Sequence, residues 1–146
     1  YDYFYIPLMN HIYFEPVKYG WMACLAPDGK FCVFKKKNKL WHKGLVHPSY
    51  SLKGEKGPML ENYINHFMSK DITELLNRFN RNSSLHAIEL KNKNNFKKYI
   101  SFRKIFSRFI KSFFFRKGYK EGKLGFLICI LNAIYPIVSV IKSKED

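Results

Sequence analysis

A chain of 146 residues can bury one modest core, and 18% aromatic side chains exclude it from the disordered class. Its formal net charge of +15 calls for an anionic partner, but the charge is local. Residues 91–123 hold twelve Lys/Arg and one acid, net +11, whereas residues 1–90 hold twelve basic and eight acidic side chains, net +4.

Tyr1 is not a start methionine and no secretory signal peptide precedes the body, so we expect a piece of something longer or a truncated copy. Cys24, Cys32 and Cys129 are odd in number and show no metal or redox spacing. Reduced thiols on the cytosolic side are the expectation.

In chain order, residues 1–6 (YDYFYI) read as a strand ending at Pro7, and residues 9–19 as irregular, with turns at Pro16 and at Tyr19-Gly20. Pro27-Asp28-Gly29-Lys30 is a turn signal before a short strand at 31–35. Residues 35–39 (KKKNK) fit a solvated hairpin tip, and 40–46 (LWHKGLV) the returning strand, stopped by Pro48. A Gly-rich turn follows at 53–58. Its GEKG lacks the spacing and the Gly-Lys-Ser/Thr ending of a phosphate-binding loop. Residues 59–67 (MLENYINHF) suit a strand or a short helix. Ser69 or Asp71 can cap the next helix, where Ile72, Leu75, Leu76 and Phe79 form an apolar stripe that extends through Leu85, Ile88 and Leu90. Asn92 to Asn95 should break it.

The rest of the chain is cationic, then apolar. Over 96–115, Phe96, Tyr99, Ile100, Phe102, Ile105, Phe106, Phe109, Ile110, Phe113 and Phe114 recur at helical spacing, with Lys97, Lys98, Arg103, Lys104, Arg108 and Lys111 mostly opposite. With Arg116 and Lys117 these cations are the candidate membrane-binding set, each contributing on the order of 1 kcal/mol near an anionic leaflet. The alternatives are a solvated face on a packed helix and a nucleic-acid platform. The latter would need aromatics and cations on one face. Gly118 and Gly122 punctuate the segment, with a turn expected at 119–123. Residues 124–141 then run uncharged for roughly 27 Å of helix, the lower limit for a bilayer. A buried or monotopic membrane helix fits best, with a true span or a plain core helix as alternatives. A span would keep the cationic flank cytoplasmic.

The expected fold class is α+β: a short mixed or antiparallel sheet, then amphipathic and apolar C-terminal helices. The expected divisions are 1–68 (α/β portion), 69–95 (linking helix), 96–123 (basic amphipathic helix) and 124–141 (apolar helix). His11, His42, His47, His66 and His86 form no HExxH or Cys/His zinc pattern, and no Ser-His-Asp set can be assembled.

The order of several residues resembles the later part of a bacterial family 2 glycosyltransferase of the lipopolysaccharide-core type. They are Gly44, Val46, His47 and Pro48; Gly54 and Gly57; Leu60 and His66; Asn82, Ser84 and Ala87; then Lys117-Gly118-Tyr119, Gly122, Gly125 and Phe126. The resemblance covers roughly residues 6–141. It implies the C-terminal, acceptor- and membrane-side part of a GT-A fold, in an enzyme moving a sugar from a nucleotide-sugar to a lipid-linked saccharide. A divalent metal, Mg or Mn, would neutralise the leaving diphosphate. The enzyme would work at the cytoplasmic face of the bacterial inner membrane. The Asp-x-Asp metal motif of that family is absent here, so this chain alone is expected to be inactive. Cys32 stands where the family often has Arg. By resemblance His66 is the candidate metal ligand, a neutral imidazole suiting Mn. His47 lies at a strand end facing the acceptor, where Pro48 removes the adjacent acid that would act as base, so a structural role is preferred. Glu61 is a poor base candidate. The rival reading is a non-enzymatic module binding an anionic membrane surface. No nucleic-acid partner is expected.

Overall fold

The computed structural model describes residues 1–23, 30–44, 49–91 and 101–145. The chain is mixed α+β, with short sheets first and helices after, as the sequence predicts. His47, Lys97, Lys98, the turn at Pro27 and the break at Asn92 to Asn95 lie outside the described residues.

Strand β1 (Tyr3–Ile6) is aromatic-rich and ends before Pro7, which has no N–H to donate. It pairs antiparallel with β4 (Lys30–Phe34), Tyr3 opposite Phe34 and Ile6 opposite Lys30, and the register shifts between Phe4 and Tyr5. Between them, Asp2 draws three segments together. Its carboxylate accepts from the Glu55 N–H at 2.8 Å and from Lys35 Nζ at 3.0 Å. Those two contacts, the Glu55 amide first, hold its pKa down to about 2. Gly54 makes the approach possible. Its φ is +97°, and a Cβ there would lie 2.3 Å from the Asp2 carboxylate.

Three predictions for the sheet region need correction. Residues 9–19 are not irregular: β2 (Leu8–Ile12) and β3 (Glu15–Pro16) form a hairpin, turned at Tyr13 and Phe14 with φ of 55° and 65°. The strand escaped notice because its main partner is distant. β2 pairs parallel with β7 (Ile64–Ser69), Leu8 opposite Ile64 and Asn10 opposite His66. Second, β5 (Lys39–Trp41) does not return on β4. After a 3₁₀ turn at Lys36–Asn38 it pairs with β6 (Tyr50–Leu52). Nor is Lys39 a solvated tip residue. Its ammonium sits 4.1–4.3 Å from the ring centres of Phe34, Trp41 and Tyr50, and burial lowers its pKa.

Helix α2 (Ile72–Lys91) starts on a reciprocal cap: Asp71 Oδ1 accepts from the Glu74 N–H at 2.7 Å, and Glu74 Oε2 accepts from the Lys70 N–H at 2.8 Å. Asp71, not Ser69, is therefore the cap. After Ser101 the chain forms α3 (Phe102–Ile110), a wider π turn (Lys111–Phe115), a 3₁₀ turn (Gly118–Glu121) and α4 (Gly122–Lys142). The core lies where the β2–β7 sheet meets the start of α2 and the first half of α4. Ile12, Val17, Met68, Leu75 and Ile128 are its buried centre, with Trp21, Leu124 and Leu131 packed against them.

The short helix α1 (Gly20–Ala23) joins the sheet to the helices. Glu121 Oε1 accepts from the backbone N–H groups of Lys18 and Tyr19, each at 2.8 Å, and the Gly20 N–H donates to the Arg116 carbonyl at 2.8 Å. The backbones meet through glycines. A Cβ on Gly118 would lie 2.8 Å from Cys129 Sγ and from the Ser112 carbonyl, and one on Gly125 would lie 2.0 Å from the Gly118 carbonyl. Charge-assisted bonds of this kind contribute about 2 kcal/mol together, so Glu121→Ala is expected to lower unfolding free energy by about that amount in urea titration. An unchanged midpoint would show that glycine packing alone holds the junction.

Candidate functional site

The apolar residues of α3 divide between two directions. Ile105 and Phe109 are half-buried toward α4, while Phe102 and Phe106 are 83% and 68% exposed. At 100° per residue the exposed pair lies between the α4-facing side and the side bearing Arg103, Lys104, Arg108 and Lys111, all exposed. The face toward α4 is held by rings: Phe109 stacks on Phe113 at 5.3 Å, and both meet Phe126 of α4 edge-on at 5.8 and 5.9 Å. Phe114, Phe115 and half of Phe126 extend the exposed aromatic surface along the π turn. The turn expected at 119–123 is a 3₁₀ turn at Gly118–Glu121 between Lys117 and Gly122, whose φ values are +57° and +59°, and Gly118 serves the close approach described above.

Between α3 and α4 runs an open trough of about 440 Å³, lined by Phe102, Ile105, Phe106 and Phe109 on one side and Ile130, Ala133 and Ile134 on the other. Two of the neighbouring cations are engaged within the protein. The Arg116 guanidinium lies 4.8 Å from the Trp21 ring centre and the Lys120 ammonium 5.0 Å from that of Tyr19.

Residues Gly118–Lys142 are long and apolar enough to cross a membrane, yet 39% of their most apolar window is buried inside the protein. α4 is tied to α2 along its second half. The Tyr135 hydroxyl donates to the Asn82 carbonyl at 3.1 Å, and its ring stacks on His86 at 5.5 Å. Lys142 Nζ donates to the Asn80 carbonyl at 3.0 Å and to Ser83 and Ser84 at 2.9 Å. Lys91 Nζ donates to the Glu145 carbonyl at 2.7 Å.

His66 occupies the middle of β7, half-buried. Its Nδ1 lies 2.8 Å from Asn10 Oδ1. The buried Asn10 amide donates to the Met22 carbonyl, which fixes the amide with its oxygen toward the imidazole. His66 therefore donates from Nδ1 and carries its lone pair on Nε2, the form a metal ligand needs. Burial lowers the His66 pKa, aided by the charges of Lys30 and Arg78. No group of three His, Cys, Asp or Glu side chains able to hold a metal occurs among the described residues. The imidazole fits one ligand position, and the remaining ligands would have to come from elsewhere. Glu61 is exposed in the bend before β7.

Asn10 was not singled out from sequence, though a polar residue inside LMNHI was a visible signal. Nor was Glu121, although a single acid in a net +11 stretch marked it. No protein-family model, no curated protein and no solved structure matches this chain.

The depressed His66 pKa sets a sign. The unfolded imidazole, near its ordinary 6.5, binds protons more readily than the folded one. Stability from this group is complete above that value and falls as the pH drops below it. Denaturation midpoints measured at successive pH values should decline on acidification through that window, and His66→Gln should flatten the decline. An equal decline in the variant would place the titration elsewhere.

Proposed function

We propose that the chain is the C-terminal, acceptor- and membrane-side part of a family 2 glycosyltransferase. It would serve an enzyme that moves a sugar from a nucleotide-sugar to a lipid-linked saccharide at the cytoplasmic face of a bacterial membrane. The observation that carries the membrane side is the exposed Phe102–Phe106 strip, set between a packed helix face and a basic one. An interfacial helix needs that arrangement: rings entering the acyl boundary, cations at the headgroups.

The ordered resemblance from Gly44 to Phe126 supports the enzymatic half. So does the sheet. Parallel strands occur mostly where both faces of the sheet are covered. Here the order β3-β2-β7 ends on β7, with Phe67 exposed and no further strand paired to β7 among the described residues. A donor-binding half added at that edge would cover it. His66 would then contribute one ligand, its tautomer set by Asn10, to a divalent metal supplying charge neutralisation for the leaving diphosphate. The remaining chemistry would belong to that other half.

α4 lies along the protein in this reading. Crossing a bilayer would break its bonds to α2, or carry Arg78, Arg81 and Glu89 of α2 toward hydrocarbon, at several kcal/mol each. A nucleic-acid role is disfavoured because the α3 aromatics and cations occupy different faces.

Sedimentation with vesicles containing anionic phospholipid tests the membrane side. Changing Arg103, Lys104, Arg108 and Lys111 together to Gln removes about 4 kcal/mol, and the partition coefficient should fall roughly a thousandfold. Undiminished binding would sink the proposal. On the enzymatic side, His66→Ala in the transferase that contains this segment should lower turnover at fixed metal and be partly offset by added Mn. Full activity would remove His66 from the metal site.

A further inference from the structure

We propose that the trough between α3 and α4 seats one acyl chain of an anionic phospholipid. The inference rests on the membrane side of the function proposed above and adds a defined subsite to it. The trough's side chains carry no polar atom, so a sugar, a nucleotide or a peptide backbone lying there would leave its hydrogen-bonding groups unpaired. A hydrocarbon chain leaves no such group unpaired, and covering the trough takes its apolar side chains out of water.

Charge selects the anionic lipid. Arg103, Lys104, Arg108 and Lys111 are exposed on the same helix that forms one wall. The one acid within residues 91–123, Glu121, has its carboxylate turned inward onto the Lys18 and Tyr19 amides. On the helical wheel Arg103 and Arg108 border the trough-lining face on its two sides, so a headgroup phosphate at the α3 rim meets those two guanidinium groups.

The full chain carrying Phe106→Trp is mixed with unilamellar vesicles of phosphatidylglycerol and phosphatidylethanolamine, brominated either near the headgroup or at mid-chain. The wild type, with Trp21 and Trp41, supplies the background. The expected result is a blue shift and loss of the introduced indole's emission to mid-chain bromine. Ile134→Asp, checked by circular dichroism, should weaken binding to the same vesicles roughly tenfold. If it fails to fold, Phe102→Ser at the exposed rim takes its place. Binding without mid-chain quenching overturns the acyl seat and leaves the membrane proposal standing. No binding overturns both. A blue shift that depends on protein concentration without vesicles overturns the seat in favour of a second copy of the chain. The assay contains no nucleotide-sugar, so none of these outcomes bears on the enzymatic half of the proposed function.

Discussion

One carboxylate holds the two halves of this protein together. Glu121 accepts both the Lys18 and Tyr19 amides, and beside it Gly20, Gly118 and Gly125 let three backbones approach to distances no side chain permits. Everything downstream follows from that contact. It directs the first half of α4 into the core beside Ile12, Val17 and Leu75. With α4 placed, Ser112 meets Cys129 at 3.0 Å, and burial raises the Cys129 pKa, which keeps the thiol neutral within the packing. α3 is then laid along α4 with only half of its apolar face covered.

The same contact shapes the electrostatics. An acid left on the surface of the cationic stretch would form local ion pairs and dilute its field. Turned inward, Glu121 leaves that surface of one sign, while Arg116 and Lys120 lie over Trp21 and Tyr19 and help seat the helices. Arg103, Lys104 and Arg108 of α3, and Lys111, Lys117 and Lys123 after it, are exposed. Cations and exposed rings thus occupy different faces of one short helix, the arrangement that suits a surface between water and acyl chains.

Local signals made much of this legible. The aromatic run at β1, the turn around Gly54 and the helical spacing of α2, α4 and the described part of α3 act within a few residues and were read correctly, while the cap of α2 was narrowed to Ser69 or Asp71. Misreadings arose where partners are distant. β2 has a weak pattern of its own and is recruited by β7 across more than fifty residues, and β5 takes β6 in place of β4. Spacing also showed that α3 is amphipathic, but not which part of its apolar face α4 would cover. His66 was singled out through the ordered resemblance; the Asn10 bond that sets its tautomer depends on the parallel register, which local sequence does not contain.

The transferase reading requires a donor-binding half that these 146 residues lack. The most direct measurement is to sequence the coding DNA upstream of Tyr1. We predict an open frame running back through a strand–helix–strand pattern and an Asp-x-Asp motif, which would supply both the missing metal ligands and the strands for the open edge of β7. A stop codon with no such half encoded nearby would contradict the reading.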